Sequence, residues 1–320
     1  MDHTRKPGAR TSNAAACFGV ASTVLSVGWC CACDPSPKGP VASAAPSSSV
    51  QIAPPRPPSA SASASASMRA TEYCRALTVT GEVLVDGAAP LKRGDEVDGK
   101  RWLTLKPGAS VVIRHAHSSR EYALSGPGRA RPCHRGEEEV LLAAGEFKAT
   151  SGGGARPGAF VTLATPWGTL RYGNADASIR ATSQAAEVRV TTGTVWVDAA
   201  QGAKLLGDAK LTGPKARATL RATGEYSRDA IVSACEADSK TAEEKAESLL
   251  KGRGQPGFGA EAAEHMRLRA AARRSCQVAQ ATLGLAVEPA EAAALEKRLD
   301  GANSRWQRVP LSVTRKHQQK

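Results

Sequence analysis

Glu187–Val197 reads EVRVTTGTVWV. Apolar Val188, Val190, Val195 and Val197 alternate with polar or charged neighbours, and Gly193 sits in the middle. Period-two alternation places successive side chains on opposite faces of a strand. The same grammar appears upstream. Ala76–Val85 reads ALTVTGEVLV, Ser110–Arg114 SVVIR, Val140–Ala149 VLLAAGEFKA and Ala159–Ala164 AFVTLA. Asp86-Gly87, Asp98-Gly99, Pro107-Gly108 and Pro127-Gly128 carry turn chemistry between these runs. No helical pattern interrupts them, so residues 71–222 are expected to be all-β, which argues against a parallel βαβ fold.

The pattern changes after residue 224. Ile231, Cys235, Ala242, Ala246 and Leu249 recur at helical spacing over about Ser227–Leu250. Gly252, Gly254, Pro256 and Gly257 break that helix. A second, about Ala260–Leu283, aligns Leu268, Ala272, Cys276, Ala279 and Leu283. A third starts near Pro289 and carries Leu295, Leu299, Ala302 and Trp306. The fold class expected is therefore α+β: a β-domain at 71–222, a three-helix bundle at 225–309 and a basic tail at 310–320.

The N-terminal part belongs to neither. Arg5, Lys6 and Arg10 precede a stretch without charge from Thr11 to Cys33. A basic segment followed by an apolar one of this length reads as a secretory signal over residues 1–32. The Ala32-Cys33 step resembles the end of a bacterial lipoprotein signal, which makes Cys33 the expected lipidation site. The alternative is an uncleaved single-pass anchor, since the uncharged stretch is just long enough to span a bilayer. Residues 33–70 follow as a Pro/Ser/Ala-rich tether. Its eight prolines and Ser-Ala repeat bury too little apolar surface to offset ordering entropy.

The chain has 320 residues, a formal charge of +13 and only 4% aromatic residues. Its core must come from aliphatic residues and alanine. Polytopic membrane, collagen and coiled-coil classes are excluded. Eight cysteines are present, four of them in or at the signal. Cys74, Cys133, Cys235 and Cys276 remain. An even number in an exported chain implies disulfides. Cys235 and Cys276 fall at one level of an antiparallel helix hairpin and are expected to pair, which leaves Cys74 with Cys133.

Signatures of catalysis are missing. Ser151-Gly152-Gly153-Gly154 lacks the Lys-Ser/Thr of a phosphate loop, and there is no G-x-S-x-G, H-E-x-x-H or zinc-finger spacing. His115 and His117 share a strand face, with His134 as the nearest third ligand, but such pairs are more often solvated. No metal, cofactor or catalytic residue is therefore assigned, and the chain is read as a non-enzyme without a small-molecule substrate. Arg267, Arg269, Arg273 and Arg274 make the second helix basic. Export argues against nucleic acid and for an envelope protein or anionic envelope surface as partner. Arg189 and Trp196 on the strand quoted first, and Arg267, Arg273 and Arg274 on the helix, are the expected partner-binding residues.

The order of β-elements also resembles the FecR domain family, the extracytoplasmic module of ferric-citrate-type signalling regulators. The resemblance rests on Gly81–Val85, Leu91-Lys92-Arg93-Gly94-Asp95, Leu103-Thr104, Leu142–Phe147, Phe160–Gly168, Tyr172–Ile179 and Val188–Val197. It implies a β-solenoid-like or rolled module that works by protein contact in the periplasm, in sensing or relaying signals. The chain departs from the signalling members in having only about 13 residues before the apolar run, too few for a cytoplasmic anti-sigma domain. The expectation is a lipid-anchored periplasmic or outer-membrane protein, with a single-pass FecR-like regulator as the alternative.

Overall fold

The computed structural model describes residues 74–115, 119–134, 139–150, 160–224, 227–251, 257–285 and 288–307. Cys33, the signal, the tether, the basic tail, His117 and the Ser151–Gly154 segment lie outside them.

The fold is α+β: a large sheet followed by three helices. The strands are β1 (Cys74–Thr80), β2 (Val83–Val85), β3 (Ala89–Pro90), β4 (Glu96–Val97), β5 (Leu103–Leu105), β6 (Ser110–His115) and β7 (Glu121–Arg131). They continue as β8 (Glu139–Ala149), β9 (Val161–Thr165), β10 (Gly168–Ala181), β11 (Ala185–Ala199), β12 (Ala203–Gly207), β13 (Lys210–Thr212) and β14 (Ala216–Ala222). The helices are α1 (Arg228–Lys251), α2 (Phe258–Leu283) and α3 (Pro289–Gln307).

All strands belong to one sheet, which runs β12-β14-β11-β10-β9-β8-β7-β5-β2-β3, with β1, β4, β6 and β13 paired off this path. Every ladder is antiparallel except β8–β9. A solenoid stacks successive strands in parallel, so the sheet is a rolled, mainly antiparallel sheet with crossovers instead, and it does not close. The long strands change partners along their length. β7 pairs β6 through Ser125 and β5 from Gly128 onward. β10 pairs β9 over Gly168–Tyr172 and β8 over Ala177–Ala181. Each change of partner is a bend that carries the sheet around its core. Pro127-Gly128, expected as a turn between strands, is one of these bends, inside β7. Two glycines are required there by close approach. Gly193 has φ +79°, and a Cβ on it would stand 2.3 Å from the Asn174 carbonyl oxygen. Gly145 has φ +109° and faces the Ser125 carbonyl oxygen at 2.9 Å. No L side chain fits either position without backbone movement.

Two cores result. Inside the roll, Phe147 is fully buried between Tyr122 and Tyr172, with ring centroids 5.2 and 6.0 Å away. Val83, Ile113, Leu124, Leu163, Leu170, Val188, Val195 and Leu220 complete this core from one face of each strand. Trp167 is buried beside them and donates its indole N–H to the Thr182 carbonyl oxygen at 3.0 Å. The second core lies where the helices cover the outer face of β8 and β9. Leu141, Ala143, Ala164 and Trp102 pack there with Val232, Ala242, Ala272, Ala279, Leu283, Leu295 and Leu299. This explains why Val140–Ala144 is apolar without alternation: the start of β8 is buried on both faces.

The helical hairpin is antiparallel. Cys235 near the start of α1 meets Cys276 late in α2, while Lys245 late in α1 lies 3.6 Å from Glu261 early in α2. Helix α3 runs beside α1 in the same direction. Arg228 pairs with Glu291 at 2.8 Å, and about two turns on, Arg298 donates to Glu236 at 2.7 and 3.0 Å and to Ser233 at 3.1 Å, and pairs with Asp229. This clasp raises the pKa of Arg298 and holds the Glu236 carboxyl below its usual range. Both cysteine pairs are at disulfide distance, with Cα–Cα separations of 6.1 Å for Cys74–Cys133 and 4.6 Å for Cys235–Cys276. No helix among the described residues is long and apolar enough to cross a membrane.

Candidate partner-binding face

The face of the sheet turned away from the roll's core is set by strand register. Along β11, the inward residues are Ala186, Val188 and Val190, then, across the bulge before Gly193, Val195 and Val197. The exposed positions between them include Glu187 and Arg189, with half-buried Trp196 in the same outward row. Their cross-strand neighbours follow from the ladders. Arg189 stands between Ser178 and Arg217, and Glu187 between Arg180 and Thr219. Trp196 stands between Arg171 and Lys210, and Arg221 between Ala185 and Lys204.

The result is a strongly cationic surface. Arg171, Arg180, Arg189, Lys204, Lys210, Arg217 and Arg221 are all exposed. Among the described residues only Arg189 of these takes an ion pair, with Glu187 at 3.6 Å on its own strand. Two of the cross-strand pairs set like charges directly opposite each other: Arg189 with Arg217, and Arg221 with Lys204. That arrangement opposes sheet pairing, and an anion laid across it would relieve the repulsion. Apolar surface borders the cations. Phe160, 48% exposed, packs edge-on against Trp196 at 5.6 Å between centroids, and Leu206, 45% exposed, lies across from Thr219 in the row of Glu187 and Arg180.

Arg189 and Trp196, expected from the sequence, thus share a face with six further cations drawn from β10, β12, β13 and β14. The arginines of α2 are placed otherwise. Arg267 is held on its own helix by Glu264 at 2.7 and 2.8 Å. Arg273 turns toward the seam with the sheet, where it lies 3.6 Å from buried Glu139. Arg274 lines a recess on a different side. The three do not form one continuous patch.

The seam beside Arg273 is polar, and a cavity of about 400 Å³ opens there, lined by Glu139, Arg273, Asp300 and Asn303. Gln277 donates to Glu139 at 2.6 Å, and the His134 ring pairs with the Gln280 side-chain amide at 3.0 Å and with the Gly99 carbonyl at 3.3 Å. His134 is thereby engaged in seating α2 on the sheet. Nearby, Arg129 and Arg131 flank the Trp102 ring at 5.3 and 5.4 Å, and burial pulls both guanidinium pKa values down. His115 lies opposite Cys74 across the β1–β6 ladder, and their ligand atoms and that of Cys133 fall within 4.8 Å of one another. Cys74 and Cys133 are one of the two cysteine pairs described above, and sulfurs joined in a disulfide are not thiolate ligands.

No protein-family model matches the chain, and no curated protein matches it.

Proposed function

We propose that this is a non-catalytic, exported envelope protein, anchored by a lipid on Cys33, whose FecR-like β-module docks an anionic partner through the outer face of β10, β11, β14 and β12. The partner is an acidic protein or polymer surface of the envelope, and signal sensing is the role the module resemblance implies. The observation that carries the reading is the pair of opposed cations, Arg189–Arg217 and Arg221–Lys204, on a face bordered by Phe160 and Trp196. Two cysteine pairs support folding in an oxidising compartment. A basic exported chain on a tether roughly 35 Å long as a coil can search for such a surface close to its membrane.

The test is binding of the mature chain to isolated envelope fractions across a salt series. Binding is expected to weaken as salt rises, because contacts between exposed charges are screened. Arg189→Glu with Arg217→Glu, two exposed positions that should leave the fold intact, is expected to abolish most of it. Binding that persists at high salt and in this variant would overturn the reading.

A further inference from the structure

A recess of about 190 Å³ lies where α1 and α2 meet the ends of β10 and β11. That volume is equivalent to about six waters. Its lining combines apolar Ile231 and Val278 with Arg274, Asp198, Asp238 and Thr169. Three features set it apart from an ordinary surface dimple.

The first is Thr169. It is 1% exposed, and its hydroxyl has no hydrogen-bond partner. A buried hydroxyl left unpaired is costly, and this one lines the recess. The second is charge. Arg274 comes from α2, Asp238 from α1 and Asp198 from β11, so three separate elements bring one cation and two carboxylates to one small space. The third is that these opposite charges do not neutralise each other. Neither Arg274, Asp238 nor Asp198 takes an ion pair or hydrogen bond among the described residues. Unpaired charges of both signs around one recess, with exposed Asp198 at its rim, leave both a cationic and an anionic contact open to a ligand.

We infer that this recess binds a small zwitterion, an α-amino acid with an uncharged side chain. The carboxylate would face Arg274, whose planar fork suits it. The ammonium would face Asp238 and Asp198, the Thr169 hydroxyl would complete the polar contacts, and the side chain would rest on Ile231 and Val278. A monoanion or monocation alone would leave one set of charges unanswered. The site is separate from the cationic sheet face and does not depend on the envelope reading. It gives the helices a second role: closing a ligand site against the sheet.

The experiment is calorimetric titration and thermal melting of the mature, disulfide-intact chain with each common L-amino acid. Isobutylamine and isovalerate serve as the two halves of valine. At least one uncharged amino acid is expected to bind and raise the melting temperature, with both half-ligands weaker by about tenfold or more. Arg274→Gln and Asp238→Asn, at half-exposed positions, are each expected to weaken binding by about tenfold or more. Thr169→Val separates ligand contact from structure. It should raise the melting temperature of the free protein, because an unpaired buried hydroxyl is removed, and still weaken binding. No binding by any amino acid, half-ligands that bind as tightly, or binding unchanged in all three variants would each overturn the assignment.

Discussion

The sheet and the helices are held together by different means. The roll is built on bulk: Phe147, Trp167, Tyr122, Tyr172 and a set of buried aliphatics drawn from nearly every strand. The interior of the helical part is richer in alanine, with Ala242, Ala246, Ala272, Ala279, Ala281 and Ala302 set among Ile231, Val232, Leu249, Leu283, Leu295, Leu299 and Trp306. Alanine lets helices approach closely and favours helix formation, but it buries little surface. Covalent and polar links add to this packing: the Cys235–Cys276 pair, the Arg298 clasp and the Gln277–Glu139 and His134–Gln280 bonds that seat α2 on the sheet. Each region carries one cysteine pair, Cys74–Cys133 in the roll and Cys235–Cys276 in the helices, but the roll adds the larger apolar core, so the helices are expected to be the more sensitive to pH and redox state.

The largest test of that contrast is Phe147→Ala. Phe147 has no exposed surface and two aromatic neighbours, so its truncation should cost about 3–5 kcal/mol. In urea the sheet and helix signals should fall together, because the helical core is continuous with Trp102, Leu141, Ala143 and Ala164 of the sheet. Helices that persist after the sheet has unfolded would break the comparison.

The next effect is that of removing Cys235 and Cys276 together as alanines, expected to cost about 2–4 kcal/mol. Hydrogen exchange locates the loss. Amides of α1 and α2 should exchange faster, while those of β10 and β11 stay protected. Uniform loss across both regions would show that the link supports the whole chain.

The smallest effect is acid sensitivity confined to the helices. Burial, with the Arg269 charge, holds the His265 pKa below its ordinary 6.5, and the Arg298 hydrogen bonds hold Glu236 below 4.5. Both groups have depressed folded values, so their contribution is complete above the unfolded pKa and is lost as pH falls through the folded one. Helix melting should therefore be flat above about pH 7, decline first below about pH 6.5 as His265 is forced to protonate, and decline again below about pH 4.5 as Glu236 does. His265→Gln should remove the first step and Arg298→Met the second. A pH profile that matches for both variants and the parent would contradict the assignment.

Much of this architecture could be read from the residues. Period 3.6, with breaks at Gly252–Gly257 and Pro289, located all three helices to within a few residues. The geometry of a helix hairpin brought Cys235 to Cys276. Short-range alternation found strands, but not their length or bends. Pro127-Gly128 looks like a turn in any local window, and only the pairing of β7 with two partners makes it a bend. The cationic face was hidden for the same reason. Arg171, Arg189, Lys204 and Arg217 are far apart in sequence and are aligned by register alone. The one local sign was the outward Arg-Thr-Arg alternation of Arg217, Thr219 and Arg221. In α2 the reverse holds: arginines that are neighbours in sequence diverge because adjacent helix positions turn away from each other.

The central claim, an exported β-module held at a membrane by its N-terminus, meets its most direct test in one intact mass. The protein would be produced in a diderm bacterium, extracted from its membranes and weighed without reduction. The account predicts a chain that begins at Cys33, heavier by its acyl groups and lighter by the hydrogens lost to two disulfides. A chain that begins at Met1, with Cys74, Cys133, Cys235 and Cys276 carrying free thiols, would contradict it.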